Sequence, residues 1–174
     1  YWTMAVDSFS FGLGLSLLYG MLTQTYGFST FQLGIMSSLN ALTWTFSQWP
    51  TGKLIDRFGS KPIMILSLVG SVPILVGFIL ASSFPVFAAL YAGMGILGAT
   101  WVPAQMTMLA NSTSEGEIGE SMGRLAAFQG LIAFPAPFIG GLLYDTFGFQ
   151  APLLASLVGV VVATTMLALL VEKP

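Results

Sequence analysis

The sequence predicts an all-α integral membrane protein, a six-transmembrane-helix bundle built as a 3+3 inverted repeat. Three observations predict it. The chain is 55% hydrophobic and only 7% charged, against about 25% charged residues in a soluble domain. Its uncharged stretches are long enough to cross a bilayer, which takes roughly 20 apolar residues per helix. One turn sequence also occurs twice: Gly52-x-Leu54-x-Asp56-x-Phe58-Gly59 returns 89 residues later as Gly141-x-Leu143-x-Asp145-x-Phe147-Gly148.

Hydropathy places the spans near residues 1–22, 31–52, 62–81, 86–110, 124–143 and 150–171. The first holds Asp7 in "AVDSFSFGLGL" and a small-residue stripe, Ser8, Gly12, Ser16 and Gly20, suited to helix packing. On the second, Ser37, Asn40, Thr43 and Ser47 form a polar stripe that either lines a cavity or hydrogen-bonds between helices. Pro62 suits the first turn of the third, where a missing N–H costs nothing. The fourth carries Pro103 and the isolated amide Gln105; the fifth carries Gln129, Pro135 and Pro137. These three prolines are expected to kink their spans, as membrane helices tolerate. Trp44, Trp49 and Trp101 line a cavity or face lipid, the commoner place for such rings. Before the fifth span, Ser114 and Glu117 have capping-box spacing, which predicts a short helical turn.

Six spans put both ends, the second loop and the fourth loop on one side. That side collects all five basic residues, Lys53, Arg57, Lys61, Arg124 and Lys173. The positive-inside rule makes it cytoplasmic, and a plasma-membrane location is expected. Asn111-Ser112-Thr113 matches a glycosylation acceptor, but on that side it is a chance match.

The duplicated turn divides one membrane domain, 1–174, into repeat units of about 1–85 and 86–174. Three spans separate the copies, so they lie on opposite faces of the membrane. The second copy lacks the cations: Lys53, Arg57 and Lys61 correspond to Leu142, Thr146 and Gln150. Inverted repeats mark secondary transporters, whose substrate sites lie near the midplane between repeats.

Composition narrows the chemistry. With no cysteine and no histidine, disulfides, thiolate nucleophiles and ordinary zinc sites are excluded. No span holds paired carboxylates, which leaves an intramembrane enzyme few groups to use. No metal and no cofactor is expected, and a net charge of −2 leaves no basic face for nucleic acid. Asp7 is the informative charge. An intramembrane carboxylate is costly and usually faces a bundle interior or water, so Asp7 is the candidate for proton coupling or for holding a cationic group. The alternative is a wet position near the cytoplasmic end. Asn40, Thr43, Gln105 and Gln129 are further candidates for substrate contact. No Lys or Arg lies deep in a span, so no anchor for an anionic substrate is visible.

"GKLIDRFGSK" resembles the loop motif of the major facilitator superfamily, written G-x-L-x-D-R-x-G-x-x-R/K. Gly52, Leu54, Asp56, Arg57 and Gly59 match, Lys61 supplies a trailing cation near its usual place, and Ser60 and Pro62 depart from the usual basic residues. The fifth span is partly similar to the antiporter motif G-x8-G-x3-G-P-x2-G-G. Gly123, Pro137, Gly140 and Gly141 match, while Ile132 and Ala136 replace glycines. Close helix packing through small residues accounts for that span equally well.

The resemblance implies a secondary active transporter of small organic or lipophilic solutes working by alternating access, of the drug or metabolite efflux type, with proton coupling open. Such a transporter has twelve helices in two six-helix halves. This chain resembles one half, the C-terminal one being favoured because neither the fourth span nor the position after Phe149 has an arginine. The chain begins with Tyr1, and it is expected to be completed by the rest of a longer polypeptide or by a second copy. The resemblance also implies a gating latch. Gly52 would allow close approach, Gly59 a turn at positive φ, and Asp56 would accept from a helix N-terminus in the other half. Arg57 would clamp a carboxylate or a lipid phosphate, and Lys53 and Lys61 would attract anionic headgroups. Alternatively the cations only orient the chain. A non-transporting scaffold or assembly subunit is the competing function, with an intramembrane enzyme behind it.

Overall fold

The computed structural model describes residues 1–114 and 116–170. Lys173, which enters the charge pattern above, lies outside the described residues. Among the described residues eight α-helices follow one another: α1 (Trp2–Gly14), α2 (Leu18–Tyr26), α3 (Thr30–Phe58), α4 (Ser60–Leu80), α5 (Phe84–Asn111), α6 (Ile118–Ala133), α7 (Ala136–Phe147) and α8 (Gln150–Leu170). A 3-10 turn at Leu15–Leu17 joins α1 to α2 in one rod, and a break at Phe134 and Pro135 joins α6 to α7 in another. Six rods result. Five are long and apolar enough to cross a membrane. The other, α3, has 29 residues, about 43 Å of helix, and bears the polar stripe and the charged turn sequence.

Local rules explain where the elements depart from the hydropathy reading. Helix α3 does not stop near residue 52. It passes through Pro50 and ends only where Gly59 turns at φ +85°. Lys53, Asp56 and Arg57 therefore stand on its last turns rather than in a loop. Hydropathy marks where a chain leaves lipid, whereas a helix ends where its hydrogen-bond ladder is interrupted. Pro135 divides the fifth span, as a proline inside a helix should. Pro103 leaves α5 continuous. The capping box expected at Ser114 does not form: the Glu117 N–H donates to the Ser114 carbonyl at 3.1 Å in a backbone turn beside Gly116, at φ +97°. A capping box closes α3 instead. The Ser29 hydroxyl accepts from the Gln32 N–H at 3.3 Å, and Gln32 Oε1 accepts from the Ser29 N–H at 2.9 Å.

The packing pairs come in matched sets. Helix α5 packs on α3 and α4, while α1 packs on α6, α7 and α8, and α4 packs on α8. Exchanging the first three rods for the last three turns each of these pairs into another, with the α4–α8 pair mapped onto itself.

The polar contacts repeat the same exchange. Gly59 and Gly148, the last residues of the duplicated turn, have φ +85° and +84°, and each N–H closes a 2.8 Å bond, to Ile55 and Tyr144 respectively. Beyond them, Lys61 Nζ donates to the Ala168 carbonyl and Gln150 Nε2 donates to the Ile79 carbonyl, both at 3.3 Å. Donors and acceptors are each 89 residues apart. Both bonds fit one antiparallel register of α4 and α8, in which Gly70 is level with Gly159 at mid-helix.

The end holding Gly148 is sealed by rings. Tyr26, Phe28, Phe87 and Phe149 stack edge-on at centroid separations of 5.1 to 6.0 Å, and Tyr26 donates to the Ala81 carbonyl at 3.0 Å. Aromatic pairs of this geometry contribute about 0.5–1.5 kcal/mol each beyond their area.

Candidate functional site

Asp7 sits near the middle of the bundle. Ser10, one turn further along α1, lies against Gly159, which is too close to Ser10 for a side chain of its own. Gly159 marks the mid-level of α8, so Asp7 stands within roughly 5 Å of that level along the helix axis. Asp7 is partly exposed at that level.

Asp7 lines a small pocket with Ser10 and Leu15 from its own rod, Ser71 from α4, Met94 from α5 and Ser156 from α8. The cavity is about 40 Å³, far below the ~300 Å³ or more of an organic-ligand site but ample for one water-sized occupant. Ser10 donates to the Val6 carbonyl at 2.6 Å, and Ser71 donates to the Ser67 carbonyl at 2.9 Å. Ser156 is fully buried, and its hydroxyl has no hydrogen-bond partner among the described residues. The 3-10 turn that interrupts the first rod begins at Leu15, on the pocket wall.

The amides form a separate system. Gln105 on α5 donates to Gln129 Oε1 at 3.2 Å. Gln129 on α6 donates to the Met4 carbonyl at 3.2 Å and to the Ser8 hydroxyl at 3.0 Å. Asn40 on α3, which stands where Gln129 stands in the other repeat, donates to the Tyr91 carbonyl of α5 at 2.8 Å. Thr43 donates to the Ala92 carbonyl at 2.7 Å. All four residues thus join helices. Trp44 covers Gly98 at the same α3–α5 contact.

The fifth-helix residues belong to a third place. Gly140 lies so close to the Leu13 carbonyl that a side chain there would overlap α1 backbone, and Pro137 flanks Gly12. Gly141 faces open space. At the end of α3, Asp56 and Arg57 are exposed, Gly52 faces open space, and Lys53 sits 3.9 Å from the Trp49 ring centroid. The sequence candidates are therefore distributed over four sites. Ser10, Ser71 and Ser156 were not singled out with Asp7, since a lone serine in an apolar helix gives no signal until the helices are placed.

Comparison with known proteins agrees with this architecture. The Major Facilitator Superfamily profile matches residues 2–174. The class C tetracycline resistance protein of Escherichia coli is 30% identical over 161 residues, 90% of this chain and 39% of that protein. The class G tetracycline resistance protein of Vibrio anguillarum is 34% identical over 113 residues, 63% of this chain and 28% of that protein. The uncharacterized MFS-type transporter YhhS of Salmonella typhimurium is 29% identical over 165 residues, 91% of this chain and 41% of that protein. The chain thus spans at most about two fifths of the length of these relatives. With a match across the described helices and the loop motif at 52–61, this multi-pass membrane chain belongs to the Major Facilitator Superfamily, a family of transporters and not of enzymes.

Proposed function

We propose that this chain is one six-helix half of a secondary active transporter that moves a small organic or lipophilic solute by alternating access, coupled to protons through Asp7. The observation that carries the reading is the placement of Asp7: a single carboxylate near mid-bundle, where the first and third helices of both repeats meet. Transporter sites lie at that level between inverted repeats. Relatives named for tetracycline resistance support an amphipathic, drug-like solute. The missing half, supplied by a longer polypeptide or a second copy, completes the solute cavity, this chain being the C-terminal half. The exposed Asp56 and Arg57 act as the cytoplasmic latch against that half. Both ends of the segment face the cytoplasm of a cell whose plasma membrane holds the transporter.

The test uses the full-length protein in proteoliposomes, with tetracycline as probe and an imposed pH gradient. Gradient-driven tetracycline movement is expected, at least about ten-fold slower in Asp7→Asn. Absence of any gradient-driven movement in the parent protein would remove the tetracycline-like solute. Equal rates in parent and variant would remove Asp7 from coupling.

A further inference from the structure

We propose that α2 is a movable arm of the first rod, hinged at the 3-10 turn, and that the Tyr19 ring on this arm closes on Tyr91 beyond the mid-bundle pocket. This rests neither on which solute is moved nor on proton coupling by Asp7.

Packing sets the arm apart from the rest of its rod. Helix α1 packs closely on α6, α7 and α8, whereas α2, among the described residues, is closely packed only with the 3-10 turn that leads into it. Side chains hold it instead. Leu18, Met21 and Leu22 are buried, the Tyr26 ring meets Phe87 and Phe149, and the Thr25 and Tyr144 hydroxyls share a 2.8 Å hydrogen bond. Segments with few packed neighbours open at low free-energy cost. The joint itself is weak: Gly14, which starts the turn, has left helical geometry at φ −127° and ψ −50°. A 3-10 stretch inside a longer helix often marks a hinge, since its hydrogen bonds are poorer.

The closure is the Tyr19–Tyr91 contact, with ring centroids 5.3 Å apart at 42°. Leu15, one turn before Tyr19, and Met94, one turn beyond Tyr91, both line the pocket. The ring pair therefore stands one turn past the pocket wall on both rods. Tyr91 is the fixed side. Its carbonyl accepts from Asn40 Nδ2 at 2.8 Å, and α5 packs on α3 and α4. At the opposite end no ring joins the first and fourth rods among the described residues; Met4 of α1 and Met108 of α5 flank an open cavity of about 220 Å³.

The contact carries its own release. The Tyr19 hydroxyl is buried without a well-formed hydrogen bond, although it lies within electrostatic reach of Tyr91. A buried hydroxyl without a partner has lost its hydration and gained nothing in exchange. Ring packing thus favours the closed arm, and the hydroxyl opposes it, because opening lets water reach the oxygen. The balance leaves the arm free to swing.

The experiment measures the distance between spin labels on the arm and on α5, at Gln24→Cys and Ala89→Cys, both exposed positions. It uses the full-length protein in nanodiscs; this chain has no cysteine of its own, and any elsewhere in the protein is replaced. Two distances are expected, a shorter closed one and a longer open one. Tyr19→Phe removes the unsatisfied hydroxyl and keeps the ring, so it should shrink the longer-distance population about five-fold and raise Tm. Tyr19→Ala removes the ring contact and should enlarge that population. A tyrosine that only fills space would shift both variants in the same direction or neither, and either result overturns the proposal. So does a single distance in the parent protein, or a lower Tm in Tyr19→Phe.

Discussion

The first three rods and the last three share one packing plan, yet their side chains agree at some positions and diverge at others, and the two groups do different work. Agreement lies at the seams. Gly59 and Gly148 turn alike, Lys61 and Gln150 reach carbonyls in the other repeat, and Asn40 and Gln129 each tie a second rod to the first rod of the other repeat. These contacts hold the two units together at both ends and along the middle. Divergence lies in the pocket and on the charged turn. Asp7 corresponds to Ile96, Ser10 to Ala99 and Ser71 to Val160, while Lys53 and Arg57 correspond to Leu142 and Thr146. Symmetric positions build the scaffold; the asymmetric ones add the ionisable groups Asp7, Lys53 and Arg57 beside matched polar residues such as Ser156, which corresponds to Ser67, and Asp56, which corresponds to Asp145.

The largest expected effect breaks the symmetry itself. Gly70 and Gly159 are level equivalents, but a methyl at Gly70 meets only the tip of the Leu97 side chain, whereas at Gly159 it meets the Ser10 side chain and Cα. Gly159→Ala should therefore destabilise the full-length protein by about 1–3 kcal/mol in reversible unfolding, with Gly70→Ala costing far less because Leu97 can change rotamer. Equal costs would mean that the repeats pack more alike than described. Gly140→Val against Gly141→Val gives the same contrast on α7: the first should abolish folded yield through collision with the Leu13 carbonyl, and the second should express normally.

Removing the mid-bundle amides comes next. Gln129→Leu loses bonds to Gln105, Met4 and Ser8, while Asn40→Leu loses the one to Tyr91. At about 0.6 kcal/mol per interhelical bond in membranes, Gln129→Leu should cost more, read as a larger fall in Tm. A larger fall for Asn40→Leu would place the stronger seam in the α3–α5 pair. The smallest effect is expected at the rims, where Gln150→Met forfeits an exposed bond to a last-turn carbonyl, worth roughly 0.3–1 kcal/mol, and Lys61→Met forfeits at least the matching bond to Ala168. Double substitution should be additive, since the two sites lie at opposite ends of α4 and α8.

Much of the fold was legible in the chain because membrane burial writes itself into long uncharged runs and because the Gly-x-Leu-x-Asp-x-Phe-Gly turn is written twice. The equivalence of Asn40 and Gln129 was not legible, since it shows in their spacing and in a shared backbone partnership, not in residue identity. The true end of α3 was hidden because Lys53, Asp56 and Arg57 read as loop residues although a helix can carry charges into the interface. The 3-10 turn had a faint signal in Gly12 and Gly14, but a Gly-x-Gly in a membrane helix is more often a packing face. Ser156 illustrates the general limit: a small polar residue on an apolar helix becomes informative only when α1 and α4 bring their own oxygens beside it.

The measurement that bears most directly on the division between scaffold and chemistry is the number of protons moved per solute by the full-length protein in proteoliposomes. It should be taken for the parent, Asp7→Asn, Lys61→Met and Gln150→Met under one imposed pH gradient. The account predicts that Asp7→Asn uncouples the two fluxes while both rim variants keep the parent stoichiometry. Coupling preserved in Asp7→Asn, or lost in the rim variants alone, would contradict it.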